Sequence, residues 1–332
     1  MRTSRGIRFL AWLSLSVIWV FSGLSVQAQT NEPAATDSKI YLPLVARMNW
    51  RPFNNNSPWN TPIPSNPAID PNSGAMMQLF HDRNYQDPRP WINLNRYGAP
   101  MWVADSNAPR YNVDCGSPNC TFFQNVPIPA NAVPDPESDG HMIIVDAARQ
   151  REWDFYRARK LANGSWAADW GAYFDLTGNG VLAPGTSSAR ASGFPLSAGL
   201  IYADEVQAGH IPHALVMVVA ATRNGCRVWP ATATHGWSYD SRALPMGSRI
   251  QLDPTLNINT LGLSPGAKVI ARALQEYGAY VGDEGSSGVA FIAESFYGKP
   301  VNRWTGLLKE NDLVNLPTDR FRVLQLGSMT CT

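Results

Sequence analysis

From Asp139 onward the chain is a succession of short runs that alternate apolar and polar residues, divided by turn residues, and this pattern points to a β-rich fold. His141-Met-Ile-Ile-Val-Asp146, Arg151-Glu-Trp-Asp-Phe-Tyr-Arg-Ala158 and Ser165 to Phe174 are joined by short polar or Asn-Gly turns and read as an antiparallel meander. Further strands are expected at His213 to Ala220, Arg249 to Leu252, Ala279 to Val281, Val289 to Ala293 and Phe321 to Leu326. Short strands in such number predict a mainly β protein, an antiparallel β-sandwich or jelly roll with one or two packed helices. The clearest helix starts at Ser264 as N-cap and Pro265 at the first position. It carries Val269, Ile270, Ala273, Leu274 and Tyr277 on one face and stops at Gly278. A shorter helix is expected over Ala203 to Ala208 and another around Ser73 to His81.

The N-terminus has a different character. Residues 1–28 pair a basic start with an apolar stretch from Phe9 to Val20 and end in Val26-Gln27-Ala28, the pattern of a secretory signal peptide cleaved after Ala28. The apolar run is shorter than the ~20 residues that span a bilayer, which disfavours an uncleaved anchor. Residues 29–48 read as a flexible polar leader followed by an apolar tether, Ile40-Tyr-Leu-Pro-Leu-Val45. Residues 49–332 then form a single β-sandwich domain, whose first part, to about Pro136, is a Pro-, Asn- and Trp-rich wrapping segment with short strands near Met101 to Val103 and Thr121 to Phe123.

Charge narrows the partners. The formal charge is +1, with 16% charged residues, and removal of Arg2, Arg5 and Arg8 with the signal turns it slightly negative. Such a chain lacks the basic footprint of a nucleic-acid binder and any charge run that would suit an anionic membrane. The expectation is a secreted or extracellular monomer with no stable membrane insertion after signal cleavage. Four cysteines suit that compartment. Cys115 and Cys120 bracket the turn-forming Gly-Ser-Pro-Asn, so a local bridge there, with Cys226 paired to Cys331, is the preferred connectivity among three.

Several constellations carry candidate chemistry. Glu152 and Asp154 alternate on a strand and so share one face, the arrangement of paired carboxylates that glycoside hydrolysis uses; the plainer alternative is a solvated strand face. Asp283 and Glu284 end a strand beside Gly285-Ser-Ser-Gly288, where either a site or a turn is expected. His210 and His213 cannot chelate one ion from a strand, and no metal or other cofactor is expected, although His141, His213 and His235 could converge from distant strands. Gly262-Leu-Ser264-Pro-Gly266 matches a serine-hydrolase elbow in outline, but Pro265 lacks the N–H that the oxyanion hole needs, so these residues read as a helix start. Asp175-Leu-Thr-Gly-Asn179-Gly180 reads as a hairpin turn because Thr186 stands where a calcium loop needs its bidentate acid.

Glu152-Trp-Asp-Phe-Tyr-Arg157 resembles, for five positions, the Glu-x-Asp-x-x-Glu strand of laminarinase-like jelly rolls, but Arg157 replaces the second catalytic carboxylate. The order of Ser57-Pro-Trp-Asn-Thr-Pro-Ile-Pro64, Asp139-Gly-His-Met-Ile-Ile-Val-Asp146, Trp153-Asp-Phe-Tyr156, Ala191-Ser-Gly-Phe-Pro195, Ile211-Pro-His-Ala-Leu215, Pro245-Met-Gly-Ser-Arg249 and Tyr277-Gly-Ala-Tyr-Val-Gly-Asp283 resembles a family of secreted bacterial proteins without an established activity. That resemblance implies a single secreted domain in which His141, Asp154, His213, Arg249 and Asp283 recur. The functional expectation is a glycoside hydrolase acting on an extracellular polysaccharide. Asp154, Asp283, His213 and His141 are its candidate catalytic groups, and Arg249, Glu152, His235 and Trp237 its candidate substrate-binding groups. Trp102 and Trp166 join Trp237 as candidate platforms for sugar rings. The alternatives are a polysaccharide lyase with Arg249 facing a uronate, and a non-catalytic carbohydrate-binding or cell-surface module.

Overall fold

The computed structural model describes residues 51–83, 89–116, 123–285 and 288–332, so the expected signal peptide, leader and tether lie outside the described residues. Strands dominate over helices. A six-stranded sheet runs in the order β1 (Trp91–Asn93), β14 (Ala290–Ile292), β10 (Leu215–Val219), β13 (Ala279–Glu284), β12 (Arg249–Leu252), β16 (Phe321–Val323). A five-stranded sheet runs β15 (Glu294–Ser295), β2 (Ala99–Ala104), β5 (Met142–Asp146), β6 (Arg151–Tyr156), β9 (Trp170–Asp175). Short pairs flank them: β3 (Arg110–Tyr111) with β4 (Val126–Pro127), β7 (Arg159–Lys160) with β8 (Trp166–Ala167), and β11 (Cys226–Val228) with β17 (Met329–Cys331).

The expected meander is present as β5, β6 and β9, antiparallel throughout. The sheets as wholes are nevertheless mixed, which corrects the purely antiparallel expectation: β1 with β14, β2 with β5, β15 with β2, and β10 with β13 are parallel. For every one of these pairs except β10 with β13, the wrapping segment supplies a strand. Its strand β2 enters the interior of the five-stranded sheet, pairing with residues some forty positions further on at one edge and nearly two hundred at the other. The run from Ser165 to Phe174 is also divided. Trp166 and Ala167 pair back on β7, Ala168 donates to the Asp114 carbonyl, and only from Trp170 does the chain join β6. The strand expected at Thr121 to Phe123 falls mostly outside the described residues.

Strand β10 shows how one sheet buries both faces. Leu215, Met217 and Val219 point into a core shared with the helices, and Val216 and Val218 point into a second core shared with Ile143, Val145, Ala172 and Phe174 of the other sheet. Helix α1 (Ser73–Arg83), helix α2 (Ala203–Ala208) and helix α3 (Pro265–Glu276) cover the first core. In α3, Ser264 Oγ accepts from the Ala267 N–H at 3.2 Å, as an N-cap should, while Ile270, Ala271 and Leu274 are fully buried. Each large apolar side chain so buried contributes about 1.5–3 kcal/mol. Cys226 and Cys331 face each other across β11 and β17 and form a disulfide that pins the C-terminus. Cys115 is also disulfide-bonded, and Cys120 lies outside the described residues. Among the described residues no helix is long and apolar enough to cross a membrane.

Candidate functional site

Alternation on β6 puts Glu152 and Asp154 on one face, but that face looks into the core between the two sheets, not into solvent. Register pairs Asp154 with Ile143 and Ala172, and Glu152 with Val145 and Phe174, all of them core residues. Both carboxyls have no exposed surface. Their partners come from the segment 188–201, which lies between the sheets. The Leu196 N–H donates to Asp154 Oδ2 at 2.6 Å, and Ser197 donates its N–H and its hydroxyl to the two oxygens of Glu152 at 3.2 and 2.6 Å. Asp154 Oδ1 receives no hydrogen from the protein, and the two carboxyls touch. A proton on Oδ1, donated to the Glu152 carboxylate, satisfies both. Burial first, and then the adjacent Glu152, push Asp154 well above the carboxylate range. Glu152 is also raised by burial, held back by the hydrogen bonds from Asp154 and Ser197. Neither the solvated-face reading nor contact with a polymer fits such burial, so this pair stands behind the site and anchors its floor.

Arg190 completes the anchor. Its guanidinium is buried and donates to the carbonyls of Pro195, Ala198 and Leu196 at 3.2–3.4 Å, wrapping its own loop around itself. Burial works against its charge, and Asp283, Asp154 and Glu152 support it. The loop then reaches the other sheet through the Ser192 N–H, which donates to the Gly282 carbonyl. Gly282 has to be glycine here, since a Cβ would stand 2.4 Å from Val216 Cγ2 and 3.0 Å from Phe194. This close approach sets the end of β13, and with it Asp283, above Arg190.

Asp283 lies nearer the surface than the pair on β6. Asp283 and Asp139 are half-buried and His235 is exposed, and the charges of Asp139, His235 and Arg190 all act on Asp283. Burial raises Asp283 to about 6, with Arg190 opposing. His141 is buried, and its Nε2 lies 3.1 Å from the Ala189 carbonyl, which can only accept, so Nε2 carries the hydrogen. Burial lowers His141 to about 4, leaving a neutral imidazole beside Asp139 at pH 7. Glu284 accepts from the N–H and hydroxyl of Thr222 and is raised by burial.

Other candidates sit elsewhere. His213 is buried against α2, with Nε2 3.0 Å from Glu205 and Nδ1 3.0 Å from the Ala214 carbonyl. Burial alone would lower its pKa, but the charge and hydrogen bond of Glu205 raise it. Arg249 spends its donors on the Tyr277 and Thr61 carbonyls and lies over the Tyr280 ring, so it ties the C-terminus of α3 to the wrapping segment and does not face a substrate carboxylate. Trp102 and Trp166 are core, whereas Trp237 is 53% exposed, as are Trp229 and Tyr239 in large part. Among the described residues no group of three or more His, Cys, Asp or Glu could hold a metal ion. The residues brought together are thus Asp139, His141, Arg190, His235 and Asp283.

Sequence reasoning did not single out Asp139 or Arg190 as site residues. A signal for the latter existed: Arg190 is the lone charge in the small and apolar run Ser187-Ser-Ala-Arg-Ala-Ser-Gly-Phe-Pro-Leu-Ser-Ala-Gly-Leu200, where a cation is expected only if buried and caged. The chain matches no protein-family model, no curated protein and no solved structure.

Proposed function

We propose that the protein is an exported glycoside hydrolase on a sandwich-like scaffold, in which Asp283 is the proton donor and Asp139 the second carboxylate. The observation that carries this reading is Asp283 itself: a half-buried carboxyl at a strand end, raised to about 6, beside a second carboxylate and an exposed histidine. A carboxylic acid that keeps its proton to that pH can protonate the glycosidic oxygen as the C–O bond breaks. Asp139, the neighbouring carboxylate, takes the proton from the water that adds to the anomeric carbon. Trp237, two residues from His235, presents a flat apolar face suited to a sugar ring. The signal-like N-terminus and the Cys226–Cys331 bridge support export.

Incubation of the protein with a panel of polysaccharides tests this, reading reducing ends together with ultraviolet absorbance from unsaturated products. Reducing ends without absorbance, abolished by Asp283→Asn, are expected. Rising absorbance would replace hydrolysis by elimination. Retention on a polysaccharide with neither signal would leave a binding module, a reading favoured by the exposure of Trp229, Trp237 and Tyr239.

A further inference from the structure

Where β6 ends, the backbone takes an unusual course. Arg157 has a φ of 52°, in the left-handed region that a long side chain rarely adopts, and Gly140, at 46°, is pressed so close that a Cβ would meet Arg157 Cα at 3.0 Å. Two backbone hydrogen bonds hold the arrangement: Arg157 N–H to the Asp139 carbonyl at 2.7 Å and Ala158 N–H to the Gly140 carbonyl at 3.0 Å. Asp139 and Gly140 are therefore clamped by their carbonyls to Arg157 and Ala158. Arg157 and Arg159 border a groove of about 550 Å³ whose other walls include Pro134, Asp135, Ser138 and Tyr297. Because Ser138 and Gly140 line the same groove, it runs up to the two neighbours of Asp139 in the chain. Tyr156 links them on the other side, with Arg157 over its ring at 5.1 Å and His141 5.9 Å away.

The charges of this groove are not evenly matched. Arg157 and Arg159, each about half exposed, share one carboxylate, Asp169, at 3.5 and 2.6 Å. Glu137 is taken by Arg96, at 2.6 Å. Asp135 is buried behind the groove wall and raised to about 6 by burial, so it offers the groove no exposed carboxylate. One guanidinium fork thus faces solvent in excess, beside the 47% exposed ring of Tyr297.

We infer that this groove seats an acidic sugar of the polymer, a uronate whose carboxylate pairs with Arg157 and Arg159 beside the Tyr297 ring. The inference rests on the glycan-directed reading of the adjacent site and names its substrate class. Binding of an oligouronate, a sulfated oligosaccharide and a neutral oligoglucan by the full chain carrying Asp283→Asn separates the two ideas, because affinity is read without turnover. The oligouronate is expected to bind best. Arg157→Asn with Arg159→Ala, Asn being chosen because it tolerates a positive φ, is expected to weaken it at least about tenfold, two charge-assisted contacts being lost. Arg159→Ala alone gives the same direction should the double variant unfold. Arg272→Ala, an exposed cation on α3, is expected to leave the affinity unchanged. Asp169→Asn releases both arginines and is expected to tighten the oligouronate by about two- to fivefold, the worth of an exposed ion pair. Preference for the neutral or the sulfated ligand, or indifference to the arginine and Asp169 substitutions, overturns the inference and leaves the site's glycan reading standing. Failure to bind any of the three overturns both.

Discussion

Two acidic pairs on two strands, Glu152 with Asp154 on β6 and Asp283 with Glu284 on β13, look alike in sequence and end in opposite surroundings. The first is sealed between the sheets under Leu196 and Ser197. The second stands at a strand end, partly exposed, with Thr222 on the Glu284 carboxyl. The difference teaches that carboxyls raised by burial divide into those that stabilise a loop and those that meet a substrate, and that access, not the size of the shift, separates them. Arg190 joins the two, since its charge acts on all three of Glu152, Asp154 and Asp283 while its loop bridges the sheets.

The comparison breaks most readily at Glu152. Replacing it by alanine leaves the Ser197 donors and Asp154 unpaired beside a cavity, and a loss of about 3 kcal/mol or more in urea unfolding is expected. A loss below about 1 kcal/mol would show that the pair is open to water in solution. At the other pair, Asp283→Asn should lower hydrolysis by about 10²-fold or more and leave unfolding at pH 7 unchanged or slightly more favourable to the folded state. Activity that survives this substitution would remove Asp283 from the chemistry.

Titration sharpens the contrast. Asp283 rises to about 6 in the folded protein, so the folded state holds a proton that the unfolded chain has released. Its contribution is fully present below the unfolded value of about 3.9 and is lost as pH rises through about 6. Lowering the pH from 7 to 5 should therefore raise the melting temperature of the wild type relative to Asp283→Asn, while the opposing titration of His141 is common to both and cancels. Equal slopes would place Asp283 in water. The smallest effect is expected for Asp154→Asn, under about 1 kcal/mol, because a carboxamide keeps both a donor toward Glu152 and an acceptor for the Leu196 N–H. A cost as large as that of Glu152→Ala would mean that Asp154 is the ionised partner.

Much of the local structure was legible. The cap Ser264, the Pro265 start and the Gly278 stop marked α3, the meander of β5, β6 and β9 followed from alternation and turns, and Cys226 and Cys331 were paired by elimination. The parallel pairings of β2 were not, because they join segments far apart in the chain and leave no local period. At the site, His141, His235 and Asp283 were named in advance, whereas Asp139 and Arg190 were not. His213 and Arg249 were named for chemistry and turned out to bond with Glu205 and with backbone carbonyls.

By itself the amino-acid sequence determined that the chain is β-rich, where its helix begins and ends, and that Glu152 and Asp154 share a face, since each of these depends on neighbours within a few residues. Only the tertiary structure decided which way that face looks. Burial is a property of what packs on top, and here it is a loop forty residues later that seals one acidic pair and, by touching Gly282, holds the other at the surface.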